Sequence, residues 1–389
     1  RFSTKLSGVE LDAGGALRAV RAVMMNRTNQ SVSEKGVRVP GAAAGSKAGM
    51  EAPIAMETTI DTDTLILAIG HSARDSYECL LSAGLHLRQK PFSIGLRIEH
   101  RQTSIDAGQY GVDFEKTYGM DVRAAGLPPA EYKLSWRGED GRGVYSFCMC
   151  PGGEVIACAS EQGGIFSNGM SYGARSGAFA NSAILVDVRT EDFASTSPLA
   201  GLDFRRIYER QAFALSAQVR AASAQPAGGS PSPVPSTASA ASVPCALPAF
   251  PCAASARPTG DAPHMSAAPS HKARLLPSER VAGFLGADSL LASCLPEFAV
   301  RGIRTALPRF GRKLQGFDAP DAWLYGPETR SSSPVRIPRD EDGMANIPGV
   351  FPAGEGAGYA GGIMSAAVDG LRAAQAVIAR SCASRGSSS

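Results

Sequence analysis

Strong charge bias and long apolar segments are both missing from this sequence. Its 39 Lys and Arg nearly balance 36 Asp and Glu, which gives a net charge of +3. Such a balance argues against a nucleic-acid partner, including an RNA substrate, and against binding to an anionic membrane surface. No apolar run approaches the roughly 20 residues that span a bilayer. A small-molecule substrate is therefore expected, with no nucleic-acid partner and no membrane span.

Cysteine is present, but not in the patterns that bind metals or form the usual redox motif. The eight cysteines contain no CxxC pair and no Cys/His cluster with zinc spacing, so no metal site is expected. This usage favours a soluble protein of a reducing compartment, such as the cytoplasm or an organelle matrix. The chain begins at Arg1 in what reads as a strand in progress, so we expect further sequence upstream, including any targeting signal. The compartment and the oligomeric state are not predicted.

Breaks in composition divide the 389 residues into segments. Residues 26–57 have no sustained periodicity and read as a loop insertion. Residues from about 221 to 275 are almost entirely Ala, Ser, Pro and Gly, which predicts a disordered insertion. We favour an insertion within one domain over a linker between domains, because helical patterns flank it at 204–219 and 278–298. Residues 382–389 read as a disordered tail.

The rest of the chain alternates between strand and helix patterns. A strand pair is predicted within residues 2–25, and the continuous apolar run Thr64–Ile69 predicts a central parallel strand covered on both faces. Further short strand candidates follow, at 93–99, 132–136, 143–149, 154–158 and 183–188. This order predicts an α/β fold with an inserted α+β domain that contains a mixed sheet.

The segment 349–378, GVFPAGEGAGYAGGIMSAAVDGLRAAQAVI, carries the strongest functional signal. It reads as a strand, a glycine-rich loop and a helix whose first turn leaves unpaired N–H groups facing out of the loop. A tight turn would account for one or two glycines. It accounts less well for the cluster around Glu355, which favours a nucleotide or flavin site; the members are Gly354, Gly356, Gly358, Gly361 and Gly362.

This segment resembles the second FAD-contacting motif of the glutathione-reductase-like flavoproteins. There an aspartate holds a ribityl hydroxyl, and Glu355 would stand in its place. Several other segments resemble the family of FAD-dependent dehydrogenases, and together they cover most of the chain outside the low-complexity parts; they are 64–75, 91–100, 147–153, 168–171 and 328–337. The resemblance implies FAD as the cofactor, with a reduced nicotinamide, NAD(P)H, as a possible electron donor.

Proteins of that family begin with a strand and a GxGxxG turn that bind the ADP half of FAD, and no such element is found at the start of this sequence. The resemblance therefore implies a C-terminal portion with an incomplete Rossmann-like FAD domain. Residues 1–90 and 335–381 would belong to that domain, and residues 91–334 to a substrate-side domain.

Two candidate side chains lie near the expected cofactor. His71 follows Gly70 at the end of the predicted parallel strand, where doubly wound sheets place ligand contacts, and it could act as acid or base or be structural. Gly70 is itself a candidate cofactor contact. Arg330 could contact the cofactor or the substrate through an anionic group, or could simply be solvated.

The remaining candidates belong to the substrate-side domain. Asn168 and Ser171 read first as a turn, and the resemblance makes them substrate-side residues. Cys148 and Cys150 share a face if the strand is regular, but a bridge between them would be strained. A partly buried thiol pair is therefore favoured over a redox pair.

Taken together, the sequence predicts an FAD-dependent oxidoreductase that transfers a hydride between flavin and either an unknown substrate or NAD(P)H. The alternative is a truncated, non-catalytic remnant that serves as a binding or interaction module.

Overall fold

A computed structural model describes residues 4–25, 55–111, 113–120, 122–224 and 275–386 of the chain. These residues form a mixed α/β fold. The strands are β1 (Thr4–Leu11), β2 (Leu17–Met25), β3 (Ala55–Asp61), β4 (Leu65–Leu67), β5 (Arg88–Gln89), β6 (Phe92–Arg101), β7 (Ser135–Arg137), β8 (Gly143–Cys158), β9 (Phe166–Ser171), β10 (Phe179–Val188), β11 (Ser278–Arg280), β12 (Trp323–Glu328), β13 (Val335–Arg336) and β14 (Val350–Pro352). The helices are α1 (Arg74–Ser82), α2 (Gln102–Tyr110), α3 (Phe114–Tyr118), α4 (Ala200–Ala224), α5 (Val281–Leu285), α6 (Glu297–Lys313) and α7 (Ile363–Gly386).

The largest sheet is antiparallel and has the strand order β11-β12-β6-β10-β8-β7, with β9 paired to β8. Its central strand β6 carries Ile94, Leu96 and Ile98 on alternate positions, all completely buried. Helix α6 packs on this sheet through an apolar stripe that includes Ile303 and Phe310. The sheet and this helix form the larger hydrophobic core.

A second core lies around the short parallel pair of β4 and β14. It includes Leu67 from β4, Val350 from β14 and Tyr77 from α1. The antiparallel sheet β1-β2-β3 contributes Val9 and Val20 to the same core. This arrangement joins the early part of the chain to its C-terminal part.

Several predicted elements are present in the structure. The strand pair within residues 2–25, the strands at 93–99 and 183–188 and the helix at 204–219 correspond to β1, β2, β6, β10 and α4. The two strands predicted at 143–149 and 154–158 form the single long strand β8, which continues through the glycines between them.

The helical pattern predicted at 278–298 was wrong. That segment contains the strand β11, which pairs with β12, then the short helix α5, and α6 begins only at Glu297. Pro296 has an extended backbone conformation immediately before α6, as expected of a residue that fixes a helix start. The apolar spacing there reflects consecutive short elements that each bury a few side chains.

The apolar run Thr64–Ile69 is less enclosed than expected. Only Leu65–Leu67 is strand, and among the described residues its one strand partner is β14. Ile66 is 45% exposed and Ile363, on α7, is 89% exposed. The prediction of a strand covered on both faces therefore fails within the described part of the chain.

Three predicted boundaries differ from the structure by a few residues. Strand β3 begins at Ala55, so the end of the predicted 26–57 loop is strand, and the rest of that loop lies outside the described residues. Helix α4 continues to Ala224, and most of the predicted insertion at 221–275 is likewise not described. Helix α7 ends at Gly386, beyond the predicted start of the tail. The division into an FAD domain and a substrate-side domain stays a prediction.

Where the structure describes the chain, none of its helices combines the length and the apolar character required to cross a bilayer.

Candidate functional site

The glycine loop of residues 354–362 lies where the parallel strands β4 and β14 end. Because the carboxyl ends of parallel strands meet at one edge of a sheet, Gly70 and the loop are brought together. Contact is so close that a Cβ on Gly356 would lie 2.6 Å from the carbonyl oxygen of Gly70. The hydroxyl of buried Tyr77 lies 2.7 Å from the Gly356 carbonyl oxygen and 3.1 Å from that of Gly70. Tyr77 thus ties the two loops to each other.

A second set of hydrogen bonds connects the loop to helix α7. The carboxylate of Asp369 accepts a hydrogen bond of 2.7 Å from the backbone N–H of Gly354 and another of 2.7 Å from Arg339. Asp369 is almost fully buried, and Arg339 lies 3.7 Å from the ring centre of Tyr359. The nearby cation holds the pKa of Asp369 below its ordinary value, although burial opposes this. The start of the loop is therefore fixed to helix α7.

The glycines of the loop lie in different environments. Gly356 and Gly358 pack against backbone, where an added Cβ would lie 2.6 and 2.7 Å from carbonyl oxygens. At Gly354, Gly361 and Gly362 an added Cβ would meet no described atom within 4 Å. Gly354 has a φ of +76°, which favours glycine in any case. Gly361 and Gly362 need glycine neither for packing nor for a left-handed conformation.

At Gly70, too, an added Cβ would meet no described atom within 4 Å. The next residue, His71, faces the loop, and its Nε2 lies 3.7 Å from Oε1 of Glu355. Burial, together with the charges of Arg205 and Arg330, lowers the pKa of His71 to about 4. Burial also raises the pKa of Glu355, although the positive charges of Arg205 and Lys90 oppose this. His71 is therefore neutral at pH 7, and its contact with Glu355 is not an ion pair.

Arg330 is not solvated. Its guanidinium is held by both carboxylate oxygens of Glu209 at 2.9 Å and lies 4.4 Å from the ring centre of Phe166. Glu209 also accepts hydrogen bonds from Arg74 and Thr329, and all of these groups are buried. Arg330 consequently belongs to an internal ion network beside His71. Its Nη1 has no hydrogen-bond partner among the described residues.

Arg205, on α4, is more unusual. It is completely buried, and its guanidinium lies 4.5 Å from the ring centre of Phe92. Its Nη2 donates to the carbonyl of Ser332, while Nε and Nη1 have no partner in the part of the chain that the structure describes. Burial lowers the pKa of Arg205 to about 9. Among the described residues Arg205 forms no ion pair with a carboxylate, although the charge of Glu209 acts on it. Burying such a cation is costly, and its charge acts on both His71 and Glu355.

Asn168 and Ser171 lie at a distance in sequence from this loop, on strand β9. The prediction of a turn here was wrong, because Asn168–Ser171 pairs with β8 in regular register. A Cβ on Gly169 would lie 2.1 Å from Nη1 of buried Arg97, so the glycine makes room for that guanidinium. The Ser171 hydroxyl donates to the carbonyl of Pro151 at 2.9 Å, and Asn168 is exposed.

Cys148 and Cys150 lie on β8, but the strand between them is irregular. Asn181 of β10 pairs with Cys150 while Ala183 pairs with Phe147, so an extra residue bulges from β8. Cys148 has a φ of +47° and is exposed, whereas Cys150 is buried. A Cys148 thiolate would contribute to the raised pKa of Glu355, so the thiol lies within electrostatic range of the glycine loop.

Sequence reasoning overlooked Tyr77, Asp369, Arg339 and Arg205. None of them belongs to a recognisable motif, and Asp369 lies well inside a helix that was read only for its apolar spacing. The local sequence signal for the site was confined to the glycines, because this residue type itself indicates an unusual backbone conformation or a close backbone contact.

A parallel strand pair ending in an open, rigidly held glycine loop is the geometry of a nucleotide- or flavin-binding α/β protein. The comparison with known families agrees with that class. The model of the family described as FAD-dependent protein, C-terminal domain-like, matches residues 91–244 and 270–331. The match covers more than half of the chain, and the protein belongs to this family. The predicted membership of an FAD-dependent family is thereby confirmed.

An uncharacterized protein of Clostridium beijerinckii is also similar, with 38% identity over 331 residues. The alignment covers 85% of this chain and 54% of that protein. The chain therefore spans about half the length of this relative. The glycine loop of residues 354–362 lies outside the matched family segments, so its role depends on the geometry described above.

Proposed function

We propose that this protein is an FAD-dependent oxidoreductase that exchanges a hydride with a small organic substrate. The observation that carries the proposal is the uncovered backbone at Gly70, Gly354, Gly361 and Gly362, where an added Cβ would meet no described atom within 4 Å. That backbone lies at the carboxyl ends of parallel strands and beside the start of α7, the place where α/β proteins bind nucleotides and flavins. Membership of an FAD-dependent family supports the same cofactor.

The residues present fit the ribityl and ring end of FAD. Bare backbone at Gly354, Gly361 and Gly362 would permit close approach, and Glu355 would accept a hydrogen bond from a ribityl hydroxyl. When bound, FAD would supply the hydride acceptor or donor for the reaction. Asp369 and Tyr77 would keep the loop in place while substrate and product exchange.

Charge at the site favours an anionic ligand or ring. The guanidinium of Arg205, whose Nε and Nη1 have no hydrogen-bond partner among the described residues, influences both His71 and Glu355 electrostatically. Lys90, which is half-buried, adds to the same potential. Neutral His71 can hold a proton on one ring nitrogen and accept a hydrogen bond at the other, so it could orient a substrate without carrying charge.

We further propose that β4, β14 and α7 belong to a Rossmann-like FAD domain. Apolar side chains on these elements remain uncovered in the described structure, since Ile66, Ile363 and Leu371 are between 45% and 89% exposed. They form a surface on which further strands and helices of such a domain would pack. The greater length of the Clostridium relative agrees with a larger protein of this kind.

The test is the flavin content of the purified protein after free flavin has been removed by gel filtration. We expect a visible flavin band in the purified protein, and release of FAD rather than FMN on heating. Anaerobic addition of NADH and NADPH then tests reduced nicotinamide as the hydride donor through bleaching of that band. A well-folded, colourless protein that takes up no added FAD would refute the proposed function.

A further inference from the structure

Cys148 and Cys150, the thiol pair on β8, have an arrangement that the proposed flavin site does not explain. In a regular strand, residues i and i+2 are about 6.5 to 7 Å apart, at the upper limit for a disulfide. Cys148 and Cys150 are not in a regular strand, because the bulge opposite Asn181 and Ala183 inserts an extra residue there. The left-handed backbone of Cys148 turns the chain further. The regular strand for which a strained bridge was expected is therefore absent at this pair.

Backbone strain at Cys148 is maintained by specific contacts. A φ of +47° is unfavourable for a residue other than glycine. The carbonyl of Cys148 accepts a hydrogen bond of 3.3 Å from Nη1 of Arg97 and one of 3.4 Å from the thiol of Cys150. Arg97 is itself fixed by Glu328 through two hydrogen bonds of 2.9 and 3.0 Å. The buried ion pair holds the bulge in place, and the Cys150 thiol is directed toward Cys148.

The two thiols differ in the way that an attacking and a resolving cysteine differ. Cys148 is exposed, and Cys150 is 7% exposed. Hydrogen bonding from Cys150, with help from the charge of Arg97, lowers the pKa of Cys148 to about 6, against burial and the charge of Glu328. Its hydrogen bond to Cys148, together with burial, raises the pKa of Cys150. The accessible sulfur is thus the nucleophilic one.

We propose that Cys148 and Cys150 form a thiol–disulfide redox site that takes low-molecular-weight disulfides as its substrates. The Cys148 thiolate attacks one sulfur of the disulfide, a mixed disulfide forms, and one thiolate leaves. Cys150 then loses its proton to solvent and attacks the Cys148 sulfur. The internal disulfide forms as the second thiolate leaves. Two protein thiols are oxidised and one external disulfide is reduced to two thiols.

This proposal goes beyond the flavin chemistry and does not require it. Cys148 lies within electrostatic range of Glu355, but the reaction of the thiol pair involves no residue of the glycine loop. Its test uses the chain without added FAD, and its failure would leave the proposed flavoprotein function untouched.

The experiment exposes the reduced chain to glutathione disulfide and then traps free thiols with N-ethylmaleimide. Trypsin together with a protease that cuts after glutamate yields the peptide of residues 143–154, which separates Cys148 and Cys150 from Cys158. We expect this peptide to lose two hydrogens and to take up no maleimide. Cys150→Ser should stop at the mixed disulfide with glutathione on Cys148, and Cys158→Ser is the matched control that should still close.

A second measurement is independent of whether any variant folds. Alkylation of Cys148 by iodoacetamide in the unsubstituted chain is compared with that of a synthetic peptide of residues 143–154. At pH 6 a thiol with a pKa near 6 is more ionised than an ordinary thiol by about two orders of magnitude, and its weaker nucleophilicity takes back about one. Cys148 should therefore react about tenfold faster in the folded chain. Equal rates, or a 143–154 peptide that retains two free thiols after glutathione disulfide, would overturn the proposal.

Discussion

Replacing Glu99 by glutamine should remove a loss of stability that develops as the pH rises toward neutrality. Glu99 lies on β6, is 2% exposed, and accepts a hydrogen bond of 3.0 Å from the hydroxyl of Tyr325. Burial raises the pKa of this carboxyl from 4.5 to about 7, despite the opposing hydrogen bond from Tyr325. Glutamine has the shape of the protonated acid and keeps an acceptor for that hydroxyl.

The sign follows from proton binding. Between about pH 4.5 and pH 7 the folded state holds a proton on Glu99 that the unfolded state has released, so the free energy of unfolding falls as the pH rises. A shift of about two and a half pKa units corresponds to about 3 kcal/mol, lost in full only above pH 7.

Urea unfolding at about pH 5 and pH 8 measures the difference between the variant and the parent chain. The Glu99→Gln variant should gain about 2 to 4 kcal/mol relative to the parent between the two pH values. The contributions of other titrating groups to the pH dependence of stability cancel in this difference, because both proteins contain them. A difference that does not change with pH would show that Glu99 is ionised in the folded chain and would refute the reasoning.

Two other substitutions test the framework of the site through urea or thermal unfolding. Gly169→Ala would place a Cβ 2.1 Å from Nη1 of Arg97 and should destabilise the chain by about 2 to 4 kcal/mol. Gly173→Ala is the control: an added Cβ there meets no described atom within 4 Å, so it should change the free energy of unfolding by less than about 0.5 kcal/mol. Equal effects of the two substitutions would contradict the packing described. Tyr77→Phe removes the hydroxyl that lies 2.7 Å from the Gly356 carbonyl oxygen and should cost about 1 to 2 kcal/mol; an unchanged free energy of unfolding would mean that this hydroxyl does not tie the two loops together.

The sequence predicted the glycine loop well because its signal is local. Strand, bare loop and helix start follow one another, and α7 begins at Ile363 as the apolar spacing indicated. Side chains that hold the loop come from elsewhere in the chain, and a single sequence gives no means of pairing Tyr77 with Gly356. The buried charges were missed for the same reason, since the partner of Arg330 is Glu209, more than a hundred residues away.

Periodicity misled where short elements follow one another. The pattern at 278–298 has apolar residues at helical spacing, yet pairing with β12 makes its first residues a strand. Asn168 and Gly169 are residue types that favour turns, but here they lie in a strand. Glycine is needed at position 169 because it leaves room for the guanidinium of Arg97. In both segments tertiary packing determines the secondary structure, and the local sequence pattern does not reveal that packing.

We propose that flavin binds at the glycine loop of residues 354–362. The shift in thermal unfolding temperature on adding FAD tests this proposal directly. Gly361→Val and Gly173→Val form a matched pair, since an added Cβ meets no described atom within 4 Å at either position. Ligand at about a hundred times its dissociation constant stabilises a protein by about 2.7 kcal/mol, which raises the unfolding temperature by several degrees. We expect this shift for the parent protein and for Gly173→Val but not for Gly361→Val. An equal shift in all three proteins would place the flavin elsewhere and refute the proposed site.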